Sequence, residues 1–398
     1  MSDKWFWLIG GGPMQINACK ILKSMNYKII ITDSNPDFAC KNFADKFEII
    51  DTYDIESHLN LVDQMVSNNI VINGVNCIAT DCHETVASVN SKLGLCGISP
   101  EMSRAIGNKS AVRETLSRLN FRQPEFHSRD EVEKDLNIIF AMIEKYEEII
   151  VKPIGLSASK GIRTIGYPDL DEISNILSKA VEDSRFGQYV VEEKLKSDGL
   201  LTSEASIETV VIDGVVSFYN MVDRIFGEDL SNLKIETGLK YLNTGVEYGH
   251  LNPTSRSWAE IELIVGQLQA FINDLAEKSV YKGEAFILKA DIYFSSNGSV
   301  ILECTPRTSG GWDSSYSSII RGRTIQEVAI KLSLGEALSS EDLHPLNTPP
   351  GFVAVITDVT EKSVDCLGRN FAGSELKPTV VEALEDSIMK KKAGEYLR

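Results

Sequence analysis

The sequence lacks an excess of basic residues and lacks any long apolar run. It contains 40 Lys and Arg against 57 Asp and Glu, a formal net charge of −17 at pH 7. Nucleic-acid backbones are bound by clustered Lys and Arg, so this balance argues against a general nucleic-acid binder. No apolar run reaches the roughly 18 residues of a membrane span, and the first apolar patch leads directly into a glycine turn. We therefore expect a cytoplasmic protein that binds neither nucleic acid nor a membrane.

The sequence also lacks a cysteine pattern typical of a metal site. Its seven Cys include no CxxC pair and no Cys/His cluster with metal-site spacing. Cys77 and Cys82 lie near His83, which leaves a zinc site as the alternative, but reduced and partly buried thiols are expected in a cytosolic fold. No convincing nucleophilic triad is present either. The chemistry therefore has to be sought in other motifs.

What is present begins with a strand, a glycine turn, a helix and a second strand. The 398 residues, 43% hydrophobic and 24% charged, suffice for two or three domains. Residues 5–10 are apolar and lead into Gly10-Gly11-Gly12, the helix pattern INACKILKSMNY and the apolar run KIIITD. This order predicts a doubly wound α/β domain. Asp33 stands where a dinucleotide-binding protein places its ribose-binding acid, but GGGPMQ does not complete GxGxxG, so bound NAD is a less favoured alternative.

The middle of the chain contains a loop suited to phosphate. The segment EEIIVKPIGLSASKGIRTIG reads as a strand ending at Lys152, then a loop of small residues, then another strand. Such a loop can wrap its backbone N–H groups round phosphate oxygens while the lysine supplies a point charge. An ordinary hairpin loop rich in turn-forming residues is the alternative.

Acidic residues recur on one face of a later strand. Glu204, Ser206 and Glu208 occupy every second position, so their side chains share a face. That face is either a solvated edge or the lining of a nucleotide and metal cleft. Residues 239–254, which include His250, predict a long irregular connection. Residues 258–279 then show apolar side chains at helical spacing and predict a core helix.

The segment from Gly283 to Gly311 reads as a hairpin of two strands, Phe286–Phe294 and Val300–Cys304. A two-residue turn at Asn297-Gly298 would place its two acids on opposite faces. A three-residue loop of residues 296–298 would instead pair Asp291 directly with Glu303. We favour this second register because a glycine suits the last position of such a loop.

Two carboxylates directly opposite each other repel, and a protein tolerates them when a cation lies between them. Thr305 returns to the same face as Glu303, and Arg307 follows just past the strand end. Two oxygen ligands, a hydroxyl and a fixed positive charge predict a site for Mg²⁺ and a polyphosphate. The alternative is an ordinary hairpin with exposed acids.

The order of these motifs resembles the ATP-grasp superfamily, and within it the carboxylate–amine ligases related to the carbamoyl-phosphate synthase large chain and biotin carboxylase. The segments that carry the resemblance are GGGPMQ with Asp33, GNKSAVRETL, IIVKPIGLSASKGI, VVEEKL, YGHLNP and DIYFSSNGSVILECTPRTSGG. The resemblance implies an α/β chain of four parts. These are an N-terminal Rossmann-like domain (1–106), a small ATP-grasp subdomain forming the ATP lid (107–190), a central catalytic subdomain (191–334) and a C-terminal subdomain (335–398).

The resemblance also implies roles for individual residues. Those implied to bind ATP are Lys109, Lys152, Ser157, Ser159, Gly161, Glu192, Glu193, Leu195 and Glu204, with Glu192 at the adenine amino group. Those implied to hold Mg²⁺ are Asp291, Glu303 and Thr305, the last standing where the family usually has Asn. Those implied to face the substrate are His250, Arg307, Gly310 and Gly311. Arg307 would also steady an acyl phosphate as charge develops.

The activity implied is ADP-forming, ATP-dependent ligation of a small-molecule carboxylate, through an acyl phosphate, to an amine such as an amino acid. ATP and Mg²⁺, as two ions, are the implied cofactors. A carboxyphosphate-using enzyme of the carboxylase or purine-pathway type and a non-catalytic nucleotide-binding protein are the alternatives, and an NAD-dependent oxidoreductase is third. Dimerisation is common among such relatives.

Overall fold

The computed structural model describes residues 3–154, 161–184, 186–200, 202–226, 229, 247–277, 284–310, 323–343, 353–356 and 379–380. Its strands are β1 Trp5–Ile9, β2 Lys28–Asp33, β3 Lys46–Ile49, β4 Ile72–Asn76, β5 Phe126–Ser128, β6 Glu148–Pro153, β7 Arg163–Gly166, β8 Tyr189–Glu193, β9 Glu204–Ile212, β10 Val215–Phe226, β11 Glu247–Asn252, β12 Ala285–Ser295, β13 Gly298–Thr305, β14 Val353–Ile356 and β15 Thr379–Val380.

Its α-helices are α1 Ile16–Ser24, α2 Ile55–Ser67, α3 His83–Leu93, α4 Pro100–Gly107, α5 Lys109–Arg118, α6 Arg129–Lys134, α7 Asn137–Tyr146, α8 Ile173–Asp183, α9 Trp258–Glu277, α10 Ile325–Ser333 and α11 Ser340–Leu343. Short 3₁₀ turns cover Pro13–Gln15, Lys41–Phe43 and Tyr167–Glu172. None of the helices in the described residues is long and apolar enough to cross a membrane.

The first sheet is parallel, in the order β3-β2-β1-β4. Strand β1 is buried along its whole length, as expected for a parallel strand covered on both faces. The indole of Trp7 donates to the Thr32 hydroxyl at 3.1 Å, so its one polar atom is satisfied inside the core. The strand, turn, helix and strand order read from the sequence is confirmed here.

The glycine turn after β1 is explained by packing within this domain. The Asp33 carboxylate accepts a hydrogen bond from the Gly11 N–H at 2.6 Å and so holds the turn closed. A Cβ atom on Gly11 would lie 2.4 Å from the Phe38 ring. The glycine and the acid that suggested a dinucleotide site therefore have structural roles.

The second sheet is antiparallel, in the order β5-β8-β6-β7. Ile149 and Val151 of β6 point into a core shared with α7 and α8, where Ile143 and Leu177 lie. Because side chains alternate along a strand, Lys152 projects from the opposite face.

The third sheet has the order β13-β12-β9-β10-β11-β14-β15. One face packs on α9, where Ile264 and Phe271 contact Ile207 and Leu288 in a common core. The predicted core helix is confirmed through Glu277. The other face is apolar around Ile287, which shares a core with residues of the parallel sheet, and polar farther along the strands. The polar part carries the candidate site.

Two local predictions were wrong in part. Within residues 239–254, Glu247–Asn252 forms β11, which pairs with β10; residues 239–246 lie outside the described part of the chain.

In the β12–β13 hairpin, Asp291 does pair with Glu303, as predicted. The loop, however, is the two residues 296–297, since Ser295 pairs with Gly298, and a bulge restores the register. An extra residue in one strand shifts the pairing by one, so the bulge compensates for the shorter turn.

Candidate active site

The polar face of the third sheet consists of cross-strand rows on β9, β10 and β12. In one row Glu208 pairs with Lys289, and in the next Ser206 pairs with Asp291. These strands lie inside the sheet, and Glu208 and Asp291 are 1% and 5% exposed. The solvated edge considered from the sequence is therefore wrong. The acids line an enclosed face.

The two opposed acids share a lysine. The Lys289 Nζ lies 2.5 Å from the Asp291 Oδ2 and 3.4 Å from the Glu303 Oε1. Lys289 stands two residues before Asp291, so both side chains emerge on the same face of β12. Burial lowers the pKa of Lys289, but the two carboxylates raise it by more, so its pKa is raised overall and the ammonium stays charged.

Glu303 also pairs with the first residue of helix α5. The Lys109 Nζ lies 3.0 Å from the Glu303 Oε2, and both side chains are nearly a third exposed. The Lys109 ammonium is the largest cause of a Glu303 pKa well below its usual range, and Glu303 in turn raises the pKa of Lys109. Asn108 caps this helix by accepting from the Ala111 N–H at 3.1 Å, which fixes where Lys109 emerges.

Asp291 is held from its other side by strands β9 and β10. Its Oδ1 accepts from the Ser206 hydroxyl at 3.0 Å, and its Oδ2 lies 3.2 Å from the Arg224 Nη1. Arg224 also contacts Glu204 at 3.3 Å and Glu247 at 3.0 Å. One guanidinium therefore links three carboxylates across the sheet.

The pKa values of two acids that contact Arg224 are shifted in opposite directions. Burial raises the pKa of Glu204 to about 7, with a further increase from Asp291, against the effect of Arg224. Burial also acts to raise the pKa of Glu247, but Arg224 and then His250 lower it to about 2. The His250 Nδ1 lies 3.5 Å from the Glu247 Oε1. His250 is therefore brought to the same polar face, on a strand.

A second ion-pair cluster joins helix α5 to the antiparallel sheet. The Glu192 carboxylate lies 3.0 Å from the Arg113 Nε and 2.5 Å from the Lys152 Nζ. Burial alone would raise the pKa of Glu192, but Arg113 and Lys152 lower it to about 2. Arg113 also donates to the Ile301 carbonyl at 2.5 Å, which ties the cluster to β13. Both oxygens of Glu192 are thus engaged by cations.

Arg307 connects the hairpin to the N-terminal domain. Its Nη2 and Nε lie 2.5 and 2.6 Å from the Asp81 Oδ1, and its Nη1 donates to the Thr308 carbonyl at 2.7 Å. Asp81 follows strand β4, at the carboxyl end of the parallel sheet. Burial lowers the pKa of Arg307, but Asp81 raises it by more, so the guanidinium remains charged.

The donor set fits Mg²⁺ when phosphate oxygens complete it. No group of three His, Cys, Asp or Glu that could hold a metal occurs in the described part of the chain. Asp291 and Glu303 supply two carboxylates, and the Thr305 Oγ1, on the same face, is buried without a hydrogen-bond partner. Mg²⁺ in enzymes is usually bound through one or two carboxylates, waters and substrate phosphates. The orphaned hydroxyl is therefore consistent with such an ion.

Solved structures match this architecture over most of the chain, although no protein-family model and no curated protein matches its sequence. An L-amino acid ligase from Bacillus licheniformis has a TM-score of 0.64 at 15% identity, over 90% of this chain and 80% of that protein. N5-carboxyaminoimidazole synthetase from Staphylococcus aureus, complexed with ADP, has 0.63 at 16%, over 99% and 96%. The biotin carboxylase domain of Hydrogenobacter thermophilus 2-oxoglutarate carboxylase, with MgADP and bicarbonate, has 0.65 at 14%, over 88% and 74%.

These proteins are ATP-grasp enzymes. The chain has the ATP-grasp fold. At these identities the likeness is one of fold, and it agrees with the resemblance noted from the motifs.

The remaining predicted residues are distributed unevenly within the ATP-grasp fold. Leu195 is buried and its carbonyl accepts from the Tyr293 hydroxyl at 3.1 Å, beside the site. Glu193 instead pairs with Arg122 at 3.1 Å and accepts from the Glu125 N–H. Of the two described glycines, Gly161 accepts a hydrogen bond from the Arg163 Nη1 at 2.7 Å through its carbonyl. Gly310 ends the described stretch 284–310. The residues outside the described part of the chain are Ser157, Ser159 and Gly311.

Sequence reasoning missed five charged residues that the ATP-grasp fold brings to the site. Signals existed for two of them: Lys289 lies at the same strand parity as Asp291, and Arg113 lies one helical turn after Lys109. Arg224, Glu247 and Asp81 gave no such local signal. Their positions depend on which strands become neighbours.

The two cysteines near His83 pack in the core of the parallel sheet. Cys77 and Cys82 are buried free thiols, and the His83 Nδ1 lies 2.8 Å from the Ser103 hydroxyl. Burial lowers the pKa of His83, which favours the neutral ring. This segment, which adjoins Asp81 in the chain, therefore has a packing role.

Proposed function

We propose that this protein is an ATP-dependent, ADP-forming ligase that activates a small-molecule carboxylate as an acyl phosphate and joins it to an amine. The observation that carries the proposal is the opposed pair Asp291 and Glu303, set on an enclosed polar face with Lys109 and Arg307 beside it. The ATP-grasp fold supports it, since the solved proteins named above include a ligase, a synthetase and a biotin carboxylase domain.

The reaction proceeds in two balanced steps. A carboxylate oxygen bonds to the γ-phosphorus of ATP as the bond from that phosphorus to the bridging oxygen breaks, and ADP leaves with the electron pair. The amine nitrogen then attacks the acyl carbon, the carbon–oxygen bond to phosphate breaks, and phosphate leaves. The amine gives up one proton to water. Both steps need positioned reactants and neutralised charge, without a protein nucleophile.

The chain's own residues supply those needs. Lys109 and Lys152 are fixed by carboxylates at 3.0 and 2.5 Å, so they are pre-oriented to receive phosphate oxygens without reorganising at the moment of reaction. Arg307, which follows the end of β13 and is held by Asp81, steadies the charge that develops on the acyl phosphate. When bound, Mg²⁺ supplies neutralisation of the phosphates; Glu303, Asp291 and Thr305 are the residues that would hold it.

The division of labour follows the four parts proposed from the motifs. The part covering 107–190 carries Lys109 and Lys152, and the loop with Ser157, Ser159 and Gly161 would close over the phosphates. The part covering 191–334 carries the acid pair and Arg307. Glu192 orients Lys152. The Leu195 backbone would lie beside the adenine ring.

The test is release of ADP and phosphate from Mg·ATP in pools of amino acids, small carboxylates and amines, with bicarbonate as a separate arm. Release that requires a carboxylate and an amine supports ligation, whereas release that requires bicarbonate favours the carboxyphosphate route. Glu303→Gln should abolish release, and Glu84→Gln, an exposed acid paired with Arg104 at 3.2 Å, should not. Failure to bind or hydrolyse ATP in every pool would refute the proposal.

A further inference from the structure

The position between the two opposed acids is already filled by a cation of the chain. Lys289 is 6% exposed, and its Nζ lies 2.5 Å from the Asp291 Oδ2 and 3.4 Å from the Glu303 Oε1. Two-metal sites place their ions about 3.5–4 Å apart between shared ligands. An ammonium at hydrogen-bond distance from both carboxylates occupies the volume that one of two such ions would need.

The charge around the acids also opposes a second ion. Asp291 contacts Arg224 at 3.2 Å as well as Lys289, and Glu303 contacts Lys109 at 3.0 Å. Three cations therefore already face two carboxylates. Two divalent ions would add four positive charges within a few ångströms of them, and only the phosphates of a nucleotide could offset that repulsion.

The two acids differ in what they have left to offer. Both Asp291 oxygens are engaged, by Ser206 and by the two cations, and its side chain is 8% exposed. Glu303 also has one cation at each oxygen, Lys109 at Oε2 and Lys289 at Oε1, but its side chain is 28% exposed and its contact with Lys289 is longer than that of Asp291. A metal arriving with a nucleotide therefore meets Glu303 first, next to the unpartnered hydroxyl of Thr305.

We propose that Lys289 takes the place of one metal ion, so that the site binds a single divalent cation with its nucleotide, at Glu303 and Thr305. Asp291 then anchors Lys289 and is not a metal ligand, which narrows the ligand set given under the proposed function to Glu303 and Thr305. The one-ion stoichiometry differs from the two ions expected from the motif resemblance. This inference rests on the proposed function for the identity of the nucleotide, but not for the behaviour of the metal alone.

The first test counts Mn²⁺, used in place of Mg²⁺, by equilibrium dialysis and electron paramagnetic resonance with the non-hydrolysable analogue AMP-PNP. The wild-type protein should bind one Mn²⁺ for each bound nucleotide, and Lys289→Met should bind two. Lys289→Arg keeps the charge and should stay at one. The matched control is Lys331→Met. It removes a lysine outside the site, whose Nζ lies 2.6 Å from the Asp342 Oδ1. Two ions in the wild-type protein would overturn the inference, whether or not any variant folds.

The second test uses Mn²⁺ alone. Because Lys289→Met leaves two carboxylates facing each other without their shared cation, it should bind Mn²⁺ about tenfold or more tightly than the wild-type protein. Adding Glu303→Gln should remove that gain. No gain in Lys289→Met overturns the inference, independently of nucleotide binding. Failure to bind AMP-PNP at all counts against the proposed function, and the metal-only result then decides the inference by itself.

Discussion

Buried ion pairs hold the candidate site in shape at the scale of single residues. Arg113 and Glu192 are each 2% exposed, and the arginine also donates to Gln123 at 2.8 Å and to a carbonyl of β13. Such a pair gains little over an apolar pair in stability, but removing one partner leaves a buried charge uncompensated. The site is therefore sensitive to single substitutions at these positions.

Arg113→Ala should destabilise the protein by about 3–5 kcal/mol, because Glu192 would keep only Lys152 as its partner. Urea unfolding followed by circular dichroism measures this. Arg104→Ala is the matched control, since its pair with Glu84 is exposed and should be worth no more than about 1 kcal/mol. Equal losses in the two variants would contradict the assignment of Arg113 as a structural cation of the site.

Glu204 should make stability depend on pH. Its pKa is raised from 4.5 to about 7 in the folded protein, so between those values the folded state binds more protons than the unfolded state. Stability therefore falls as pH rises from about 4.5 to 7 through this group. Glu204→Gln should flatten that part of the profile, measured as unfolding free energy at several pH values. A profile with the same slope as the wild-type protein would show that Glu204 ionises normally.

At the scale of elements, turns and bulges set where side chains point. The β12–β13 hairpin uses a two-residue turn, which alone would put its acids out of register. The bulge after the Asp291–Glu303 pair restores the alignment. Gly298, at φ +108°, is in the region that favours glycine, but as the first residue of β13 instead of inside the loop.

The glycine turn after β1 gives a test at this scale. Gly11→Ala should cost about 1–3 kcal/mol, since its Cβ would lie 2.4 Å from the Phe38 ring in a packed core. Gly12→Ala is the matched control, because nothing lies within 4 Å of a Cβ there and the residue has φ −66°. Thermal unfolding of both variants measures the difference. A tolerated Gly11→Ala would mean that the turn is not shaped by Phe38.

At the scale of the whole molecule, the N-terminal domain is joined to the central sheet by a shared core and by polar contacts. Phe6 and Ile31 pack in one cluster with Ile287 of β12 and Ile330 of α10. Around this core, Asn76 donates to the Ser333 hydroxyl at 2.7 Å. The N-terminal domain can therefore place Asp81 against Arg307 with little freedom.

Asp81→Asn should lower the turnover of the proposed reaction about tenfold or more while leaving nucleotide affinity near the wild-type value. The neutral amide would hold Arg307 less firmly where charge develops in the transition state. Steady-state ADP release and fluorescent-nucleotide binding separate the two quantities. Asp63→Asn, on a surface pair with Lys92 at 2.7 Å, is the control. Loss of affinity without loss of turnover would place Arg307 at the nucleotide instead.

The parts of the site that follow from local periodicity could be predicted from the sequence. Strand alternation gave the shared face of Glu204, Ser206 and Glu208, and hairpin pairing gave the opposed acids Asp291 and Glu303. The motif order gave the ATP-grasp fold. The turn residues were misassigned because the bulge next to the Asp291–Glu303 pair has no clear signature in the sequence.

The sequence by itself thus determined which side chains share a face along one strand or helix, because that depends on a fixed local repeat. Only the tertiary structure decided which charges meet. Arg224 reaches Asp291 through strand order, Asp81 reaches Arg307 through domain packing, and Arg113 reaches Glu192 across 79 residues. Electrostatic partners are chosen by distance in space, and the local pattern carries no information about that distance.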